Sequence, residues 1–249
     1  MNPVIEVKEL YFKYNSHNVI NGINYSLNYS NFIGICGPNG CGKTTFLKII
    51  SGIYKNYAGS VKVFGKNIRE STNREISKII SYVPGSVFTP FDFKVFDIIL
   101  MGRILYQNFL SGYSQDDFLR VYNIATDLRI ESILKRNFNS LSNGEKQVVM
   151  IAQALVQETP IILLDEPTSH LDINHKIKIF NILKSKSFKK KIIVVLHDLK
   201  IAFDYCDRII FMKDGNFRFE IKASELENNY KPISDIYSVN VESIKKYLL

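Results

Sequence analysis

Residues 37–44 read Gly-Pro-Asn-Gly-Cys-Gly-Lys-Thr, and no other stretch of the chain restricts its fold as tightly. They fit the pattern G-x-x-x-x-G-K-[ST], preceded by an apolar run at residues 32–36 and followed by a helical pattern from Thr44. Glycines in such a turn let consecutive backbone N–H groups face inward around an anion with no Cβ in the way. A helix beginning near Lys43 adds the positive end of its dipole. The spacing therefore predicts strand, phosphate-gripping loop and helix, in that order. Lys43 is placed to reach the β- and γ-phosphates of a nucleotide, and the Thr44 hydroxyl to ligate Mg²⁺. The candidate nucleotide-binding set is Gly37, Pro38, Asn39, Gly40, Cys41, Gly42, Lys43, Thr44 and Thr45. Cys41 occupies a variable position of the loop, where a small side chain is tolerated, and is read that way rather than as a metal or redox site.

With 249 residues, 46% of them hydrophobic, the chain can bury a core without disulfides. Its three cysteines, Cys36, Cys41 and Cys206, are an odd number without paired spacing, which argues for a reducing compartment. The N-terminus lacks a basic stretch followed by a long apolar run, and the apolar runs elsewhere fall far short of the roughly 20 residues of a membrane span. A soluble or peripheral protein is expected. The net charge of +8 is spread along the chain, and its densest cluster, residues 184–191, reads as a solvated helix end. No nucleic-acid partner is expected from it.

Residues 4–7, 20–27, 32–36, 61–64 and 79–83 read as strands, several closed by turn residues such as Gly65 and Pro84-Gly85. From residue 86 to 158 strand signals fade, and helical patterns at 95–105 and 116–128 take over. Strands return at 161–164 and 192–196, apolar throughout as in a parallel sheet covered on both faces. Residues 208–213 and 217–221 flank Asp214-Gly215, a hairpin turn. The tail from Ala223 reads as short surface helices. The class is α/β with an inserted helical segment.

Two strand ends carry further chemistry. Residues 161–164 lead into Asp165-Glu166-Pro167. Asp165 is placed to support the Mg²⁺ shell, and Glu166, on the other side of the pleat, to poise a water against the γ-phosphate. Residues 192–196 lead into His197-Asp198, and His197 is a candidate donor to the γ-phosphate and attacking water. His170 and His175 have no metal spacing and read as surface residues.

Leu141-Ser142-Asn143-Gly144-Glu145 resembles the signature motif of ABC ATPases, usually Leu-Ser-Gly-Gly-Gln. The resemblance implies a P-loop NTPase (RecA-like) core, residues 1–85 and 158–249, with an antiparallel β subdomain and an inserted helical subdomain, residues 86–157. It implies ATP and Mg²⁺ as cofactors and a head-to-tail dimer, in which Ser142 and Gly144 act in trans on the ATP of a second copy. Ser169-His170-Leu171-Asp172 resembles the family's D-loop, which adds Asp172 to the nucleotide contacts. Tyr14 stands where the family stacks an aromatic on adenine. The catalytic set implied is Glu166, His197 and Lys43.

Three positions depart from the family pattern. Asn143 and Glu145 replace a Gly and the Gln of the signature; Glu145 is a frequent variant, and Asn143 tolerates a left-handed backbone. In Ser81-Tyr82-Val83-Pro84-Gly85 the family normally has Gln where Gly85 stands. Slower hydrolysis or looser coupling is expected, and Gly85→Gln is expected to raise one or both. Residues 90–103 resemble ATPases of iron(III)-chelate, haem and cobalamin importers. That implies a peripheral subunit on the cytoplasmic membrane face, a permease partner and, indirectly, an extracellular solute-binding protein. The alternatives are a soluble ABC ATPase acting on DNA or ribosomes, and a weakly active regulatory nucleotide-binding module suggested by Gly85. Against the first, only about a hundred residues without sustained heptads separate loop and signature, and the chain holds one cassette.

Overall fold

The computed structural model describes residues 3–28, 31–87, 91–107, 112–168 and 171–248. They divide into two compact units, Met1–Ile76 with Lys191–Leu249, and Ser77–Lys190.

The first unit begins with β1 (Ile5–Tyr14), β2 (His17–Leu27) and β3 (Phe32–Cys36), followed by α1 (Lys43–Ile50), β4 (Ala58–Val63), β5 (Lys66–Asn67) and α2 (Asn73–Ser77). β1 pairs antiparallel with β2 on one side and β4 on the other, with Ile5 opposite both Leu27 and Val63. Sequence reading stops the first strand at Val7, whereas β1 runs on to Tyr14. The register shifts between Val7 and Leu10, where Glu9 takes a φ of 46°, so the period-2 pattern breaks although the strand continues. α1 buries Phe46, Leu47, Ile49 and Ile50, and the Phe46 ring meets Phe217 edge-on at 4.8 Å.

The second unit holds β6 (Ile80–Val83), α3 (Val95–Leu100), a 3₁₀ segment (Met101–Tyr106), α4 (Gln115–Leu128), α5 (Asn143–Val156), β7 (Ile161–Asp165) and α6 (Ile173–Ser187). β6 and β7 pair in parallel, with Tyr82 opposite Leu163. The helix predicted over 95–105 tightens to 3₁₀ at Met101. A Cβ on Gly102 would lie 2.4 Å from the Gln153 carbonyl of α5, so the backbone itself is the packing surface there. Arg103, just beyond, is buried, with its guanidinium on Asp117 (2.8 Å), the Val156 carbonyl (2.9 Å) and Glu158 (3.0 Å). One cation thereby joins the start of α4 to the end of α5.

The chain returns to the first unit as β8 (Lys191–Val195), α7 (Leu199–Tyr205), β9 (Arg208–Lys213), β10 (Asn216–Lys222), α8 (Tyr230–Tyr237) and α9 (Val241–Leu248). β3 lies between β8 and β9, parallel to both, and β9 pairs antiparallel with β10. β3 is buried over its whole length, as its unbroken apolar sequence requires. The lysine cluster is less solvated than its sequence suggests: Lys190 donates to the Thr159 carbonyl at 2.7 Å, and Lys191 opens β8 with a 2.6 Å bond to Asn31.

Candidate nucleotide site

The loop leaves β3 with Gly37, Gly40 and Gly42 all at positive φ. A Cβ on Gly37 would sit 2.0 Å from the Met212 carbonyl, and one on Gly42 would sit 2.9 Å from the Val19 carbonyl, so no other residue fits at either position. The β9–β10 hairpin braces the loop from outside: Gly215 donates to the Cys41 carbonyl at 3.1 Å. Asn21 in turn donates to the Asp214 carbonyl at 2.9 Å. Lys43 is buried, and its ammonium donates to the Gly37 and Pro38 carbonyls, both at 2.8 Å. Burial pushes the Cys36 thiol up to about 12 and raises that of Cys41 against the pull of Lys43, which keeps both protonated. No cluster of His, Cys, Asp and Glu suited to a metal ion occurs among the described residues.

Two further predicted residues belong to the same unit as the loop. Tyr14 ends β1 half-exposed, its hydroxyl 3.5 Å from the Thr45 hydroxyl and its ring edge-on to Phe12 and Tyr54. His197 follows β8, two residues past Val195, which pairs with Ile35 in β3. Gly37 lies two residues past Ile35, so His197 and the loop leave neighbouring parallel strands at one sheet edge. This is where α/β proteins bind ligands. Asp198, next in sequence, caps α7 by accepting from the Ile201 amide at 3.3 Å.

In the second unit, Asp165 closes β7 as a buried carboxylate and accepts a 3.2 Å hydrogen bond from the Tyr82 hydroxyl. Glu166 has a φ of 49°, a left-handed conformation that costs a non-glycine residue about 1–2 kcal/mol. Strain of that kind clusters at functional sites. Gly85 packs against this turn: a Cβ there would lie 2.9 Å from the Asp165 carbonyl oxygen. The expected benefit of Gly85→Gln is therefore opposed by the structure, because any side chain presses on the backbone that carries Asp165 and Glu166. Gln147 of α5 anchors the preceding residue, donating to the Pro84 carbonyl at 3.1 Å.

Ser142 caps α5 in a reciprocal box. Its hydroxyl accepts from the Glu145 amide at 3.2 Å, and the Glu145 carboxylate accepts from the Ser142 amide at 2.8 Å. This explains a Glu in the last place of the signature: the two Ser142 bonds hold its carboxyl below the usual range. Asn143 is the first helical residue and needs no left-handed backbone, contrary to the sequence-based reason for its tolerance. Gly144 belongs to the same turn, whose amides have no intrahelical acceptors. Asp172 caps α6, accepting from the His175 amide (2.9 Å) and contacting its Nδ1 (2.8 Å). Ser142, Gly144 and Asp172 line one cavity of about 530 Å³ within this unit. Ser169 and His170, the start of the D-loop resemblance, lie outside the described residues, as does Pro90.

Sequence reading had no means of finding the roles of Tyr82 and Gln147, and it found the hairpin turn at Gly215 without its bond to the loop. Each acts through a contact between residues far apart in the chain.

The ABC transporter family profile matches residues 20–169. Among similar curated proteins, a probable iron chelatin transport ATP-binding protein of Helicobacter pylori (strain ATCC 700392 / 26695) is 30% identical, covering 97% of this chain and 95% of its own. A probable siderophore transport system ATP-binding protein of Bacillus subtilis (strain 168) is 31% identical, covering 96% and 87%. Among solved structures, a chain of an inward-facing ABC transporter of metal-chelate type superposes with a TM-score of 0.79 at 26% identity, covering 95% of this chain and 90% of that one. A dimeric ATP-binding cassette in a post-hydrolysis state with ADP and Pi gives a TM-score of 0.78 at 27% identity, covering 88% and 98%. The chain belongs to the ABC transporter family and is one of its ATP-binding, ATP-hydrolysing cassettes.

Proposed function

We propose that this chain powers a membrane importer for an iron chelate, haem or cobalamin, as a peripheral subunit on the cytoplasmic face of the cell membrane. It pairs head to tail with a second copy, docks on an integral permease and serves, through it, an extracellular solute-binding protein. Residues 1–85 and 158–249 form the nucleotide core in this reading, and residues 86–157 the helical subdomain. The names of the similar proteins support the solute class, and no described helix is long and apolar enough to cross a membrane.

The observation that carries the reading is the braced loop around Lys43. The ammonium sits on two carbonyls of its own loop, and an arriving triphosphate replaces them with oxygens of full negative charge. The inward-facing amides of residues 37–45 and the start of α1 bind the same phosphates. Tyr14 stacks on adenine. The Thr44 hydroxyl and Asp165 carboxylate are hard oxygen donors that fit Mg²⁺, which supplies charge neutralisation at the β- and γ-phosphates. Glu166 orients or deprotonates the attacking water, and His197 steadies the γ-phosphate as charge develops. Each chain offers Ser142 and Gly144 to the ATP held by the other copy, and Asp172 adds to the nucleotide contacts.

Glu166→Gln tests the assignment. It is expected to abolish turnover while leaving ATP binding intact, and to accumulate an ATP-bound dimer on size-exclusion chromatography. Undiminished turnover would remove Glu166 from the chemistry. Wild-type protein that binds ATP without turnover, even beside its permease, would favour the regulatory module instead.

A further inference from the structure

Asp165 and Leu163 lie on one face of β7, and Tyr82 of β6 is paired with Leu163. Tyr82 is thus the diagonal cross-strand neighbour of Asp165, a separation that an aromatic side chain spans. Its hydroxyl donates to Asp165 Oδ2 at 3.2 Å. A carboxylate at a strand end rotates about χ2 unless a neighbour fixes it, because that torsion has a broad, roughly two-fold profile. Two residues beyond the end of β6, Gly85 has no side chain, and the 2.9 Å approach of the Asp165 carbonyl to the position of its Cβ leaves no room for one. Tyr82 thus carries a direct contact from β6 to the Asp165 carboxylate.

We infer that Tyr82 is a positioning residue for the metal–nucleotide complex: its hydroxyl fixes the rotation of the Asp165 carboxylate and so the direction in which that group meets the hydrated Mg²⁺ of MgATP. The inference rests on the reading of Asp165 given under Proposed function. In this reading Tyr82 acts through Asp165 rather than on the nucleotide or metal itself. Its contribution is to the geometry of an oxygen donor, where a hydrogen-bonded partner of a metal-binding group typically alters metal affinity about 10–100-fold.

The test is Tyr82→Phe, which keeps the ring and removes only the hydroxyl. Binding of a fluorescent ATP analogue is titrated against Mg²⁺ and repeated in EDTA, with Asp165→Asn alongside and thermal melting for each protein. The expected result is a rise of about 10-fold in the Mg²⁺ concentration for half-maximal binding, with affinity in EDTA and the melting midpoint unchanged. A merely structural tyrosine would lower the midpoint and weaken binding equally with and without Mg²⁺, and that result overturns the inference. An unchanged Mg²⁺ dependence in Tyr82→Phe beside a shifted one in Asp165→Asn overturns it too, and leaves the role of Asp165 standing. If Asp165→Asn leaves the Mg²⁺ dependence unchanged, the role of Asp165 fails and the inference falls with it.

Discussion

Replacing Gly85 by Ala adds one methyl group whose position is already constrained. The new carbon would stand 2.9 Å from the Asp165 carbonyl oxygen and 3.7 Å from Glu166 Cβ. The first contact is to backbone, so relief requires moving the end of β7. Overpacking of this kind costs about 1–3 kcal/mol. An opposing effect exists: Gly→Ala restricts the unfolded chain and stabilises by about 0.4–1 kcal/mol where the backbone conformation suits alanine. Gly85 has no positive φ, so that gain is available, yet it is smaller than the clash. The net loss lies between about 0 and 2.6 kcal/mol, a fall in Tm of up to several degrees at about 2–4 °C per kcal/mol for a chain of this size. Activity falls more than stability, because the displaced backbone carries the two carboxylates proposed to act on Mg²⁺ and water. Differential scanning calorimetry together with a phosphate-release assay measures both. Gly85→Gln brings the same Cβ and is expected to lower turnover. An unchanged Tm with raised turnover in Gly85→Gln would refute this reasoning and restore the expectation drawn from the family pattern.

Lys43→Ala is expected to weaken nucleotide binding strongly, measured by equilibrium titration with labelled ATP; unaltered affinity would contradict the phosphate-loop assignment. Arg103→Met leaves Asp117 buried without its cation, and breaking such a pair costs about 3–5 kcal/mol. Burial alone would raise the Asp117 carboxyl, but its bonds to Arg103 and Ser114 outweigh this and hold it below the usual range. That contribution is present above the ordinary carboxylate pKa of about 3.9 and is lost as pH falls through the lowered value. The stability gap between wild type and Arg103→Met is therefore widest near neutrality and narrows in acid. Urea unfolding at both pH values measures it, and a gap independent of pH would count against the pairing.

The elements legible in the sequence are those whose burial is the same along their whole length. β3 and β7 are buried throughout and β9 over its four central residues, because both faces are covered there, and the reading places each within a residue or two. β1 is legible only as far as Val7, because the shift at Glu9 exchanges its faces. The helix from Val95 changes type where α5 backbone meets Gly102, a contact with no local signature. The loop residues could be named because glycine spacing and Lys-Thr encode a backbone shape directly. Their support could not: Tyr82 reaches Asp165 across 83 positions, and its own neighbours describe only a strand aromatic. Gly85 could be read as a missing Gln, but not as a position that the Asp165 carbonyl closes to any side chain.

The bracing of the loop also orders events during synthesis. The residues of the loop leave the ribosome early, but both strand neighbours of β3, and the hairpin tip that bonds the Cys41 carbonyl, come from beyond residue 190. Until then β3 has two bare edges, and the loop lacks the support of Met212 and Gly215, keeping only that of Val19 and Ile20. A nascent chain stalled before residue 190 carries every residue of the loop without these braces, and weak nucleotide binding is expected of it. Closing contacts so distant is slow, so the full capacity to bind ATP is expected late, as the last quarter of the chain emerges.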